Sequence, residues 1–169
     1  MEPFSIKGTR DPGARISLRP ESPDDEPFLF EVYASTREEE LALTNWDTRM
    51  RKAFLDMQFA AMRRGYAGMF PAGEFLIICR DDLRVGRLVL DRTGEVLRVV
   101  DLALLPAHRN QGIGTMLMRQ ICDEAARIGK PVGLSVLKNN RAIAWYQRLG
   151  FTKTGYGGIY EEMEWRMRG

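Results

Sequence analysis

Residues 99–128 read VVDLALLPAHRNQGIGTMLMRQICDEAARI, and three segments follow one another within them. Val99, Val100, Leu102, Ala103, Leu104 and Leu105 form a nearly unbroken apolar run, the pattern of a strand buried on both faces. Pro106 ends it, because proline donates no ladder hydrogen bond. Further on, Ile113, Leu117, Ile121, Ala125 and Ile128 recur at helical spacing, with Arg119, Asp123 and Arg127 on the opposite side. Between strand and helix lies Arg109-Asn110-Gln111-Gly112-Ile113-Gly114-Thr115.

That turn has the chemistry of an anion site. A helix N-terminus carries unpaired N–H groups and the positive end of the macrodipole. Gly112 and Gly114 lack Cβ atoms and let ligand oxygens approach the backbone. Arg109 adds a charge with forked donors suited to phosphate. A dinucleotide fingerprint needs a third glycine where Leu117 stands. A P-loop needs Gly-Lys-Ser/Thr, and Gly114-Thr115-Met116 does not supply it. What remains is Arg-x-x-Gly-x-Gly, or an ordinary strand-to-helix turn.

The chain of 169 residues is long enough for one sizeable core. A net charge of +2, with basic and acidic residues interspersed, gives no reason to expect nucleic acid. Cys79, Cys122 and the single histidine, His108, form neither a metal-ligand pattern nor a disulfide framework, so both cysteines read as small buried hydrophobes. No apolar run is long enough to span a bilayer, and the N-terminus lacks the core of a signal peptide; the reading is cytoplasmic, with no membrane partner.

Residues 1–14 show no periodicity and read as a flexible arm, with Phe4 and Ile6 available to dock on the domain or on a second subunit of a homodimer. Residues 15–169 read as one domain. Residues 15–19 alternate as a strand. Ser22-Pro23-Asp24-Asp25 starts a helix carrying Phe28, Phe30, Val32, Tyr33 and Ala34. Residues 36–40 read as a charged break. A second helix starts near Trp46 or Asp47, turns Met50, Phe54, Met57, Ala61 and Met62 inward, and ends near Gly65. Residues 74–80 and 83–90 form a hairpin across Asp81-Asp82, and Gly86 marks a bulge or a close backbone approach. Asp101 interrupts the central apolar run; a carboxylate there means either a strand that admits water or a catalytic group. After the Gly129-Lys130-Pro131 stop, residues 132–137 form a strand parallel to the central one, since a helix joins them. Asn139 or Asn140 caps a helix with Ala142, Ile143, Trp145, Tyr146 and Leu149 inward, and residues 151–155 and 160–167 are the last strands, with Met163, Trp165 and Met167 on one face.

The segment Asn139 to Phe151, NNRAIAWYQRLGF, adds a second motif: Asn139, Ala142, Tyr146, Gly150 and Phe151. Together with Arg109, Gly112 and Gly114, and in the same order, it resembles the signatures of the GCN5-related N-acetyltransferases, the GNAT superfamily. The resemblance covers roughly residues 15–167, and Asn110 departs from the glycine often found after the motif arginine. It implies an α/β GNAT fold: a mixed, mostly antiparallel sheet of about six to seven strands, helices on both faces and a splayed parallel strand pair at the centre.

The resemblance further implies acetyl-CoA as co-substrate, held in the splay and without a metal. Leu102, Ala103 and Leu104 would offer backbone to the pantetheine amides, and Asn139 would contact the same arm. Arg109, Asn110, Gln111, Gly112, Ile113, Gly114 and Thr115 would hold the pyrophosphate. Tyr146 would stand near the thioester sulfur and protonate the leaving thiolate; the alternative is a tyrosine that only packs. Asp101, nearest the expected reaction centre, is the candidate base, acting through water. The acceptor is a small-molecule or peptide amine entering beside the first two helices. There Glu38, Glu39, Glu40 and Asp47 could attract a cation and Tyr33, Trp46 and Tyr66 could pack its apolar part; the alternative is a solvated acidic face. The implied activity is acetyl transfer to a primary amine. A CoA-binding module without catalysis, or a transferase of longer acyl groups, is the alternative.

Overall fold

The computed structural model describes residues 5–7 and 14–167. In chain order the elements are β1 (Ser5–Lys7), β2 (Arg15–Pro20), α1 (Glu26–Ser35), α2 (Glu38–Ala42), α3 (Thr48–Met69), β3 (Glu74–Arg80), β4 (Leu83–Asp91), β5 (Leu97–Leu104), α4 (Ile113–Arg127), β6 (Val132–Leu137), α5 (Ala142–Arg148), β7 (Thr152–Gly157) and β8 (Tyr160–Trp165). Among the described residues the strands form one sheet of eight in the order β1-β2-β3-β4-β5-β6-β8-β7. The strand beyond the expected number is β1, which pairs with β2 through Ser5, Ile6 and Lys7; the rest of the stretch read as an arm, Phe4 included, lies outside the described residues or, at Ala14, leads into β2.

Every neighbouring pair is antiparallel except β5 and β6. The two faces carry two cores. One holds Val99, Ile113, Leu117, Met118, Ile121, Leu134 and Phe151, with Leu102, Leu104, Trp145 and Tyr146 packed on it, so α4 and α5 cover that face. The other holds Phe28, Leu29, Val32, Tyr33, Phe59, Ile77 and Cys79, with Met62, Ala103 and Leu105 packed on it, so α1 and α3 cover the opposite face. Cys79 and Cys122 are buried and unpaired, and no helix among the described residues is long and apolar enough to cross a membrane.

Several local expectations are corrected. Glu38, Glu39 and Glu40 open the short helix α2 rather than a break; three acids suit the positive end of a helix dipole. Helix α3 runs past Gly65 to Met69, and its inward stripe is Leu55, Phe59 and Met62, not Met50 and Met57, which are 52% and 58% exposed. The stripe is set by Phe59, whose ring meets Phe30 at 5.5 Å and Tyr33 at 5.7 Å. Strand β8 ends at Trp165, so Met167 leaves the buried face.

Gly86 is a close approach. A Cβ there would stand 2.3 Å from the Ala103 carbonyl oxygen, and the β3–β4 register slips beside it, between Ile78 and Cys79. A second slip lies between Val89 and Leu90 of β4, leaving Val100 as the extra residue of β5. The expectation of burial on both faces of β5 holds only at its start: Leu97 and Val99 are buried, and residues 100–104 are half-buried. The reason is the neighbour. Strands β5 and β6 are in register at Leu97↔Val132 and Arg98↔Gly133 and nowhere beyond.

Candidate active site

The parting of β5 and β6 opens toward their carboxyl ends, where the chain of β5 turns into α4; a crevice at that place in a sheet is a common ligand site. The first helical bond of α4 is Met116 N–H to the Gly112 carbonyl, so the N–H groups of Ile113, Gly114 and Thr115 have no intrahelical acceptor. The cap is Gly112 in the left-handed region, φ 87°, with no side chain to reach them. Open space surrounds the position a Gly112 Cβ would take. Asn110 is also left-handed, at φ 57°, and Gln111 is fixed by accepting from Arg80 Nη1 and donating to the Ala107 carbonyl, each at 2.7 Å.

Two residues of this turn also make contacts within the protein. A Cβ on Gly114 would stand 3.4 Å from the Trp145 ring, and Trp145 Nε1 donates to Thr115 Oγ1 at 3.1 Å. Trp145 thus packs α5 on the first turn of α4, at a distance that is ordinary contact for a Cβ on Gly114. Arg109 donates from Nε to the Leu104 carbonyl at 2.8 Å and from Nη2 to Ser35 Oγ at 3.1 Å. It ties the end of β5 to the end of α1, and it occupies one of the backbone carbonyls expected to face pantetheine. Asn139 is exposed beyond the end of β6, while Asn140 does the capping, its Oδ1 accepting from Ala142 N–H at 2.8 Å.

Tyr146 lies on α5 with its ring 4.7 Å from Trp145 and 5.7 Å from Phe151. Burial, and then the negative charge of Asp101, push its hydroxyl pKa up to about 12. The two expected catalytic residues therefore lie within electrostatic reach of each other, although one comes from α5 and the other from the middle of β5. Leu102 and Leu104 point to the α4 and α5 core, whereas Ala103 packs on the α1 and α3 core.

Asp101 does not stand in water alone. Its Oδ2 lies 2.7 Å from Nη2 of Arg87, a residue 6% exposed. Burial pushes the Asp101 carboxyl up, and the Arg87 charge and the Tyr66 hydroxyl pull it back. Burial and the Asp101 charge raise the pKa of Tyr66 in turn. Arg87 is the residue that sequence reasoning misses. The signal was the second arginine of LRVGRLVL, set among apolar residues, together with the pairings Arg87↔Ala103 and Val89↔Asp101 that make Arg87 and Asp101 diagonal neighbours on one face. Of the residues expected to line an acceptor, Tyr33 and Tyr66 gather here, with the Arg87 Cζ 5.9 Å from the Tyr33 ring centre. Trp46 instead packs edge-on against Phe54 at 5.2 Å. Asp47 caps α3, its side chain accepting from Met50 N–H at 2.8 Å, and Glu40 pairs with Arg37 at 3.2 Å, so two of the expected attracting acids have local partners.

Residues 71–153 match the family model of the acetyltransferase (GNAT) domain. A stretch of 64 residues, 37% of this chain, is 41% identical to the mycothiol acetyltransferase of Amycolatopsis mediterranei (strain U-32); the match spans 21% of that protein's length. The fold is similar to that of PaiA N-acetyltransferase from Thermoplasma acidophilum, solved in complex with coenzyme A, with TM-score 0.68, 18% identity, and coverage of 90% of this chain and 99% of that one. An acetyltransferase from Thermus thermophilus superposes with TM-score 0.65 at 19% identity, over 90% of this chain and 97% of that one. Both motifs follow the parting strands and fall inside the matched segment, so residues 71–153, from β3 to the start of β7, are similar to a GNAT acetyltransferase domain.

Proposed function

We propose that the protein is an N-acetyltransferase that uses acetyl-CoA and a primary amine. The observation that carries this reading is the two-position pairing of β5 with β6, followed by a gap that ends on the bare N-terminus of α4. A diphosphate fits that terminus: unpaired N–H groups, a cap without a side chain, open space at Gly112, and the charges of Arg109 and Arg80 beside the turn. Residues 111–115 would hold the diphosphate, and Asn139 with the free edge of β5 at Leu102 and Ala103 would face the pantetheine arm. Leu104 would join them if Arg109 released its carbonyl. When bound, acetyl-CoA supplies an acyl thioester, already activated toward an amine.

The residues of this chain then deal with two protons. An alkyl amine of pKa ~10.4 is neutral in only about one molecule in a few thousand at pH 7. Asp101, its pKa raised by burial, takes the amine proton directly or through water. Tyr146, protonated throughout the neutral range, donates to the departing sulfur. A cytoplasmic location accords with two unpaired cysteines, which a reducing compartment keeps as thiols. The test is thiol release from acetyl-CoA across a panel of primary amines. Amine-dependent release supports the reading. Binding of acetyl-CoA with no release over the whole panel would leave a CoA-binding module instead, and faster release from longer acyl thioesters would change the donor.

A further inference from the structure

We propose that the amine acceptor carries a carboxylate close to its amino group, an amino acid being the simplest member of the class, and that Arg87 and Arg37 bind that carboxylate. The proposal rests on the transferase reading for the role of the cleft, and on a separate observation for the ligand. The Arg87 side chain is 7% exposed, its Nη2 faces Asp101, and its Nε and Nη1 are buried with no hydrogen-bond acceptor among the described residues. Buried polar groups are almost always paired, and a buried guanidinium needs more than one acceptor oxygen. Asp101 is one carboxylate on a group that presents several N–H donors. The missing partner has the chemistry of an anion oxygen.

The surroundings agree. Arg37 approaches the same Tyr33 ring from the end of α1, its Cζ 5.4 Å from the ring centre, against 5.9 Å for Arg87. The Arg37 side chain is 33% exposed and pairs with Glu40, itself 63% exposed, so it stands at the solvent side of the cluster. A ligand with adjacent ammonium and carboxylate groups matches this alternation: ammonium toward Asp101, carboxylate toward an Arg87 N–H that Asp101 leaves without an acceptor. Met62 packs beside the guanidinium, its sulfur 3.5 Å from Arg87 Nη2, and an unbranched methionine can move to make room for a ligand.

Matched pairs of amino acids and their decarboxylated amines test this, each offered with acetyl-CoA to the full-length protein. The acid member should show at least a tenfold higher kcat/KM, and Arg87→Lys and Arg37→Gln should each shrink that ratio severalfold. A second measurement is independent of turnover: calorimetry of N-acetylamino acids against the matching N-acetylamines in the presence of CoA. Carboxylate-dependent binding that Arg37→Gln weakens supports the proposal even if no amine releases thiol, which would overturn only the transferase reading. Should Arg87→Lys fail to fold, the partly exposed Arg37 still decides. Equal or better use of the decarboxylated amines, or no carboxylate-dependent binding at all, overturns it.

Discussion

In the proposed reaction Tyr146 and Asp101 act on the two protons, and their surroundings suit them to it. A tyrosine raised to about 12 by burial and by Asp101 keeps its proton through the alkaline range. Tyr146→Phe preserves the ring contacts with Trp145 and Phe151 and removes only the donor. We expect kcat to fall about 10²-fold with the KM for acetyl-CoA nearly unchanged; steady-state kinetics on the two proteins decide it, and a fall below threefold means that another group protonates the thiolate. For Asp101 the sign is that of a raised acid. Activity should climb as pH rises through its elevated pKa, and in Asp101→Asn the climb should move toward the pKa of the amine itself, so the variant loses most at neutral pH and least at high pH. A pH–rate profile of both proteins checks this. The sequence singles out Asp101 and Tyr146, one as a charge in an apolar run and the other inside a spaced motif, and the structure places them within electrostatic reach of each other. Arg87 was equally a charge in an apolar run, but its meaning needed the register of β4 on β5, which no periodicity supplies.

Among the elements, the bounds of α4 and β5 were read closely from sequence, α4 from its helical period after Gly112 and β5 from an apolar run that Pro106 stops. The face of α3 was misplaced by about one position, since Met and Ala residues recur on both sides and only the Phe30 and Tyr33 rings choose between them. Asp25 looked like an ordinary first-turn acid. It is buried at 1% exposure, with Arg19 on both oxygens at 2.7 Å and Arg84 at 3.0 Å, and it anchors the start of α1 to β2 and β4. These partners hold its carboxyl far below the usual range. Asp25→Ala should cost on the order of 2 kcal/mol at pH 7. Because the folded pKa is depressed, the difference from the parent should be full above the unfolded pKa near 4 and shrink as pH falls below it. Denaturant titrations at pH 7 and pH 3 measure both. Gly86→Ala places a Cβ 2.3 Å from a backbone oxygen of β5, and should destabilise by about 1–3 kcal/mol while disturbing the half of β5 that borders the cleft; the same denaturant titration, run on this variant and the parent, reads the loss.

Across the whole molecule, the order of strands and helices followed from hydrophobic period and turn residues, and the parallel β5–β6 pair from the helix between them. The extent of the parting did not, because β5–β6 pairing stops after Arg98↔Gly133 and no period or turn residue marks that point. The added edge strand β1 was equally hidden: three residues are too few to show a period. The central claim is that the gap between these strands and the bare end of α4 bind acetyl-CoA. Calorimetric titration of acetyl-CoA into the parent and into Gly112→Asp measures it directly, since aspartate puts a side chain and a negative charge into the open space at a left-handed position. Micromolar binding by the parent is expected, on the order of −8 kcal/mol, with its loss in a variant that remains folded by circular dichroism; equal affinity in the two proteins would contradict the claim.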